Sequence, residues 1–204
     1  MDFLESLQNI VYNNIKKTTL INYITDLEGY KPSNFEEVFT NILLNFENTI
    51  IIEIGSFKGL ISSTMATICK SNNKSTKILC IENWLNNTND LNPRNGFTIN
   101  YYIFLNNIYY LNHHDIIIPF PMSSINAYQV FNNYNFKCDI IYLNSSSIIH
   151  NINIYVNLLN NNGILFGPNY DDLYIKNIID EFLYNNPLFT LNIINDMWIL
   201  NKFN

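Results

Sequence analysis

The stretch Ile50-Ile51-Ile52-Glu53-Ile54-Gly55-Ser56-Phe57-Lys58-Gly59 decides the reading of this chain. Its apolar run, interrupted only by Glu53, suits a strand covered on both faces, as in a parallel sheet. Gly55 and Gly59 permit a tight turn and a close approach of backbone to a ligand. Small and apolar residues from Ile61 to Cys69 then read as a helix. Glu53 places a carboxylate at the mouth of the turn. Strand, glycine turn and helix in this order point to a nucleotide-type cofactor at the carboxyl end of the strand.

Working outward, residues 1–31 carry Leu4, Leu7, Ile10, Val11 and Ile15 at helical spacing and read as one or two covering helices. Ser33-Asn34-Phe35-Glu36 is a capping-box pattern before the apolar face Val38, Phe39, Ile42, Leu43 and Phe46. After the strand Thr49 to Ile54, a helix is expected from Leu60 to Lys70 and a strand from Lys77 to Glu82. Asn83 to Phe97 is polar and reads as a long loop of the kind that often binds ligands. The remaining helices are expected at Ile99–Tyr110, Ser124–Phe131, Ile148–Leu159 and Leu173–Tyr184. The remaining strands are expected at Asp115–Pro119, Cys138–Leu143 and Ile164–Phe166, with a turn over Asn160 to Gly163. Phe189–Ile194 and Met197–Asn201 flank Asn195-Asp196, a good hairpin turn. This alternation predicts a doubly wound α/β sheet with one antiparallel edge strand. A single domain over 1–204 is expected, with covering helices in 1–48 and the core in 49–204.

Composition narrows the function. At 204 residues and 48% apolar content the chain has enough material for a sizeable core. The formal net charge is −6 and Arg94 is the only arginine, which argues against a nucleic-acid backbone binder. Cys69, Cys80 and Cys138 lack metal-ligand spacing, so buried, reduced thiols and a cytoplasmic location are expected. No stretch has the length of a membrane span, and the opening residues do not read as a signal peptide. Asparagine makes up about a fifth of the chain, a usage that resembles drift in a very AT-rich genome such as that of a large DNA virus.

Four further motifs in order extend the opening one, five in all. Glu53-Ile54-Gly55-Ser56-Phe57-Lys58-Gly59 is followed by Leu79-Cys80-Ile81-Glu82-Asn83-Trp84 and Cys138-Asp139-Ile140-Ile141-Tyr142-Leu143-Asn144. Leu158 to Gly167 and Asp196-Met197-Trp198-Ile199-Leu200-Asn201-Lys202 complete the series. Together they resemble class I S-adenosylmethionine-dependent methyltransferases, in the branch of the cephalosporin-hydroxylase and macrocin O-methyltransferase relatives. The resemblance covers about residues 33 to 202. It implies a Rossmann-like, doubly wound α/β sheet of seven strands with an antiparallel C-terminal hairpin strand.

The resemblance also implies a cofactor site. Gly55, Ser56 and Gly59 match the loop against the methionine portion of S-adenosylmethionine, with Glu53 at its base. Glu82 matches the acidic residue that holds the ribose hydroxyls, since a carboxylate accepts two hydrogen bonds at once. The alternative, in which Glu53 caps a helix start and Glu82 faces solvent, stays open. Where the family carries G-D-S, with its aspartate on the adenine amino group, this chain has Met122-Ser123-Ser124, so Ser123 takes that place.

The chemistry departs further. The branch reads D-G-S-H or D-G-D-H after one strand and G-D-D-Y after the next, carboxylates suited to a divalent metal and a histidine suited to a base. Here the matches are Asn144-Ser145-Ser146-Ser147 and Gly167-Pro168-Asn169-Tyr170. Asn and Ser are neutral; they neither supply the charge a hard cation needs nor act as bases near neutral pH. No metal is therefore expected. Asn144 and Asp171 are the candidates for a catalytic role, although Asp171-Asp172 also suits a solvated helix start. His113 and His114 read as a surface loop, and His150 lies on a helix.

Two functions follow. The first is a methyltransferase-fold protein that binds S-adenosylmethionine with a degenerate metal site, acting as a binding or scaffolding module. The second is an active, metal-independent O-methyltransferase on a sugar or small metabolite. For it, Trp84 and Arg94 in the Asn83–Phe97 loop would cover and pair with the acceptor; the alternative is a buried Trp84 at the loop's root. The excess of aromatic residues and isoleucine suits a protein partner or a homo-oligomer.

Overall fold

The structure is a computed structural model and describes residues 3–13, 26–84, 99–144 and 148–203. The expected loop from residue 85 onward, with Arg94, and Ser145 to Ser147 lie outside the described residues. In chain order the first elements are α1 (Phe3–Asn13), α2 (Phe35–Leu43), β1 (Asn48–Ile54), α3 (Leu60–Ser71), β2 (Ser75–Ile81) and α4 (Ile99–Tyr110). Then come β3 (Ile117–Phe120), α5 (Ser124–Asn133), β4 (Cys138–Leu143), α6 (Ile148–Tyr155) and β5 (Leu159–Gly167). The last are α7 (Leu173–Asn185), β6 (Phe189–Ile194) and β7 (Met197–Lys202).

The seven strands form one sheet in the order β3-β2-β1-β4-β5-β7-β6. Neighbours from β3 to β5 are parallel, and β7 runs antiparallel to both β5 and β6. The reversed strand expected at an edge is therefore internal, and β6 is the edge. The hairpin sets only the antiparallel pairing of β6 with β7 across the Asn195-Asp196 turn; the long-range pairing with β5 decides which of them lies inside.

Side-chain alternation along each strand builds two cores. Ile52, Ile54, Leu79, Ile81, Ile141 and Leu143 face α5, α6 and α7. Ile51, Ile78, Cys80, Ile140 and Tyr142 face α2, α3 and α4. Glu53 belongs by this alternation to the second face, and all three cysteines are buried and free. Helix α1 covers the β3 edge, where Tyr12 donates to the Ile117 carbonyl at 2.6 Å and Gln8 to that of His114 at 2.6 Å.

Some local expectations change. The capping box does not form: Asn34 precedes α2 without a side-chain cap, and its amide donates instead to the Ile194 carbonyl at 3.1 Å. The turn expected over Asn160 to Gly163 is part of β5, where the β4 register shifts between Cys138 and Ile140. Helix α6 stops at Tyr155 and a tight turn, Val156–Leu158, replaces its predicted end. Strand β3 starts at Ile117, two residues later than the spacing implied.

Candidate functional site

Parallel register sets the site. Glu53 lies opposite Cys80 and Tyr142, and Ile54 lies opposite Ile81 and Leu143. The carboxyl ends of β1, β2 and β4 therefore open together. Strand order reverses between β1 and β4, where ligands bind open α/β sheets. A cleft of about 470 Å³ sits there.

The glycine loop forms its floor. Gly55 (φ 93°), Phe57 (φ 44°) and Gly59 (φ 89°) are all left-handed. The Gly55 N–H donates to Ile81, and the Gly59 N–H closes onto the Ser56 carbonyl at 2.8 Å. Gly55, Ser56 and Phe57 line the cleft, whereas Gly59 does not. A Cβ on Gly59 would lie 3.0 Å from the Phe104 ring, so that glycine serves the packing of α4 as well as the turn.

Glu53 lines the cleft but is only 1% exposed. Ser56 Oγ at 3.0 Å, Cys80 Sγ at 3.3 Å and Ser62 Oγ all donate to its Oε2. None of these donors reaches Oε1. Burial pushes the Glu53 carboxyl above the ordinary glutamate range, the three donors pull it back, and the charge of Glu82 raises it further. A group with a raised native value favours folding most at low pH, and that contribution fades as pH rises through the native value. Glu53→Gln keeps an acceptor for the hydroxyls and cannot ionise. It is expected to gain stability over the parent as pH climbs above about 4.3, the ordinary glutamate value, in urea melts run from pH 4 to 8. A constant difference across that range would mean that Glu53 ionisation is not coupled to folding.

Glu82 stands where β2 ends. It is partly buried, lines the cleft, and accepts from the Asn83 N–H at 2.9 Å and the Phe57 N–H at 3.4 Å. Burial raises this carboxyl too, against those two backbone donors. Trp84 is buried against Tyr101 and Phe104, with ring centroids 4.9 Å away in each case, and donates to the Phe57 carbonyl at 2.8 Å. The indole does not line the cleft.

Ser123 and Asn144 also line the cleft. Ser123 is the N-cap of α5, accepting from Asn126 at 3.4 Å. The Asn144 N–H extends the β1–β4 ladder to Ile54 at 3.2 Å, and its side-chain amide lies 3.5 Å from the Gly55 carbonyl. Asp171 does not line the cleft; it is exposed, and its N–H donates to Asp196 at 3.0 Å. Asp172 caps α7 through the Tyr174 N–H at 2.7 Å. The helix-start reading of this acidic pair describes what they do here.

His113 departs from the surface-loop expectation. It is buried, 3.2 Å from Thr67 Oγ1, and burial lowers its pKa. It precedes β3, at the opposite end of the sheet from the cleft, while His150 is exposed on α6. Among the described residues no three His, Cys, Asp or Glu side chains gather as a metal group. No described helix is long and apolar enough to cross a membrane.

Sequence reasoning missed the third wall. Glu28, Gly29 and Tyr30 line the cleft as a strap that belongs to no helix or strand. The sequence signal for it was slight: Gly29 and Pro32 end the apolar periodicity of the N-terminal region.

Neither a protein-family profile nor a curated protein sequence matches this chain. Solved structures do. An O-methyltransferase from Bacillus cereus in complex with SAH is 13% identical, with TM-score 0.61 over 98% of this chain and 91% of that one. TomG, an O-methyltransferase from Streptomyces achromogenes involved in tomaymycin synthesis and crystallised with SAM, is 11% identical, with TM-score 0.63 over 100% and 99%. A putative caffeoyl-CoA O-methyltransferase from Staphylococcus aureus is 19% identical, with TM-score 0.56 over 99% and 93%. The chain has the class I methyltransferase fold. A shared fold does not fix a function, so the residues lining the cleft carry any further argument.

Proposed function

We propose that the cleft binds S-adenosylmethionine and that the protein acts chiefly as a binding module. Glu82 is the observation that carries the reading. Its carboxylate stands at the end of β2, inside the cleft, with lone pairs left after two backbone donors are satisfied. That suits the paired hydroxyls of a ribose. The Gly55–Phe57 backbone has the open approach that the methionine portion needs, with Ser123 and Asn144 along the remaining wall. The lining carboxylates Glu28, Glu53 and Glu82 suit a ligand that carries positive charge.

The bound cofactor would supply an activated methyl group; what the chain supplies beside it is less. The positions at the ends of β4 and β5 hold Asn144, Pro168 and Asn169, which do not fit a divalent cation, and Asp171 is exposed and does not line the cleft. No residue there is a base near neutral pH. A scaffolding role follows, with small-molecule methylation as the second reading. The intact glycine loop favours that second reading, since proximity alone moves a methyl group to an acceptor that is already nucleophilic.

Calorimetric titration tests the first step: saturable binding of S-adenosylmethionine and S-adenosylhomocysteine below millimolar concentration is expected. Incubation with hydroxyl-bearing sugars and small phenols is expected to give no methylated product. Turnover that survives a chelator would favour the second reading, and absence of binding would end both.

A further inference from the structure

We propose that Lys58 and Asn107 are positioning residues for the cleft, which latch the strap Asp26–Tyr30 onto the glycine loop. The proposal rests on the cofactor reading of this cleft. The strap contains no helix or strand, yet Glu28, Gly29 and Tyr30 form one wall of the site. Its position is therefore set by side chains reaching it from elsewhere.

Asn107 is the first latch. It comes from α4, is fully buried, and does not touch the cleft. Its side-chain oxygen accepts from the Asp26 N–H at 3.1 Å, and its amide donates to the Asp26 carbonyl at 2.7 Å. One side chain thus pairs with both backbone groups of one strap residue, as a neighbouring strand would. The same amide also donates to the Lys58 carbonyl at 2.8 Å. Asn107 therefore fixes strap and glycine loop relative to one another in a water-poor place, where an unmade bond is costly.

Lys58 is the second latch. It lies between two left-handed residues, Phe57 and Gly59, and is only 8% exposed. Its ammonium reaches Asp26 at 2.6 Å and Glu28 at 2.5 Å. Two carboxylates on one lysine hold the strap at two of its residues. The loop side of this latch continues to the ligand wall. The N–H of Phe57, next in chain to Lys58, donates to Glu82, and its carbonyl accepts from Trp84. A strap released from Lys58 leaves the cleft short of one wall.

If the latched strap is the binding-competent state, apparent affinity falls by the fraction that stays latched. The experiment measures amide hydrogen exchange of residues 26–30 in the ligand-free protein together with calorimetric affinity for S-adenosylmethionine. Lys58→Met keeps the aliphatic stem and removes the charge. Affinity is expected to weaken by about tenfold and strap exchange to quicken by clearly more than that, since exchange follows the unlatched population and affinity the latched one. Exchange in β1 and β4 should not move. Lys58→Arg is expected to restore most of both. Should Lys58→Met not fold, Asp26→Asn removes one of the two ion pairs and keeps the Asn107 contacts, with the same signs of change. Unchanged strap exchange, or weaker binding without faster exchange, overturns the latch. Loss of affinity that Lys58→Arg does not recover overturns it as well. A parent protein that binds no S-adenosylmethionine overturns the cofactor reading itself. Binding by the parent with Lys58→Met at equal affinity removes the latch alone.

Discussion

Glu82→Ala is expected to weaken S-adenosylmethionine binding by about 100-fold, with the melting temperature little changed. Each hydrogen bond to a charged group contributes roughly 1.5–3 kcal/mol. Two bonds from ribose hydroxyls, at the low end, come to about 3 kcal/mol, and each 1.4 kcal/mol is tenfold in affinity. Removing Glu82 also frees the N–H of Phe57, a non-glycine residue held at φ 44°. That strained loop is then retained by the Trp84 bond alone on this side. Glu82→Gln separates the two effects. It keeps an acceptor for Phe57 but loses the charge, so an intermediate loss is expected. The pH dependence has a definite sign. Burial raises the Glu82 carboxyl, and only its ionised form offers acceptors alone. Affinity should therefore decline on acidification through a value above that of an ordinary glutamate. Calorimetry at several pH values reads all three outcomes. Equal affinity in Glu82→Ala would sink the cofactor assignment for this end of the cleft.

The fold was legible because its signals are local. Apolar runs at Ile50–Ile54 and Cys138–Leu143, each broken by one acid and followed by a polar or glycine turn, describe parallel strands without any knowledge of their neighbours. The position of β7 was not legible in the same way, since insertion between β5 and β6 depends on pairing between strands distant in sequence. Glu53, Gly55, Ser56, Glu82, Ser123 and Asn144 all come together at the cleft, because parallel register brings consecutive strand ends to one edge. Gly59 and Asp171 do not line it, the first packed against α4 and the second exposed and bonded through its N–H to Asp196. The strap was illegible for a different reason. Asn107 sits in an α4 sequence that is apolar nearly all round, and nothing in its spacing reveals a hydrogen-bonding partner 81 residues away. The abundance of asparagine gains a structural meaning too. Among the described residues, six of the seven non-glycine residues at positive φ are asparagines: Asn73, Asn112, Asn135, Asn162, Asn169 and Asn195. With six glycines in the whole chain, asparagine takes the left-handed positions that end helices and close turns. Its short amide tolerates that region better than other side chains do. A biased composition is thereby put to use at the points where the chain reverses.

Gly167→Ala is expected to destabilise the protein by about 3 kcal/mol, the upper end of ordinary overpacking costs. An added methyl would lie 2.5 Å from the Leu143 carbonyl oxygen and 2.5 Å from Cζ2 of Trp198. Neither neighbour gives way easily. The Leu143 carbonyl is backbone at the end of β4, and Trp198 is fully buried with its Nε1 bound to the Pro168 carbonyl at 3.0 Å. Gly167 and Trp198 face one another across the antiparallel β5–β7 pair, so the indole lies over the glycine by register. For a chain of this length the melting temperature should fall by about 6–12 °C. Trp198→Phe removes the benzo ring that would clash and leaves the backbone contact. Combined with Gly167→Ala it should recover roughly 1 kcal/mol relative to the sum of the single changes, the size of coupling expected for residues in contact. The remaining cost belongs to Leu143, whose neighbour Asn144 lines the cleft. Ligand affinity in Gly167→Ala should therefore fall along with stability, and Trp198→Phe should not restore it. A thermal scan of the four proteins with calorimetry on those that stay folded decides the matter. Additive single effects would show that Trp198 is not what excludes a side chain here.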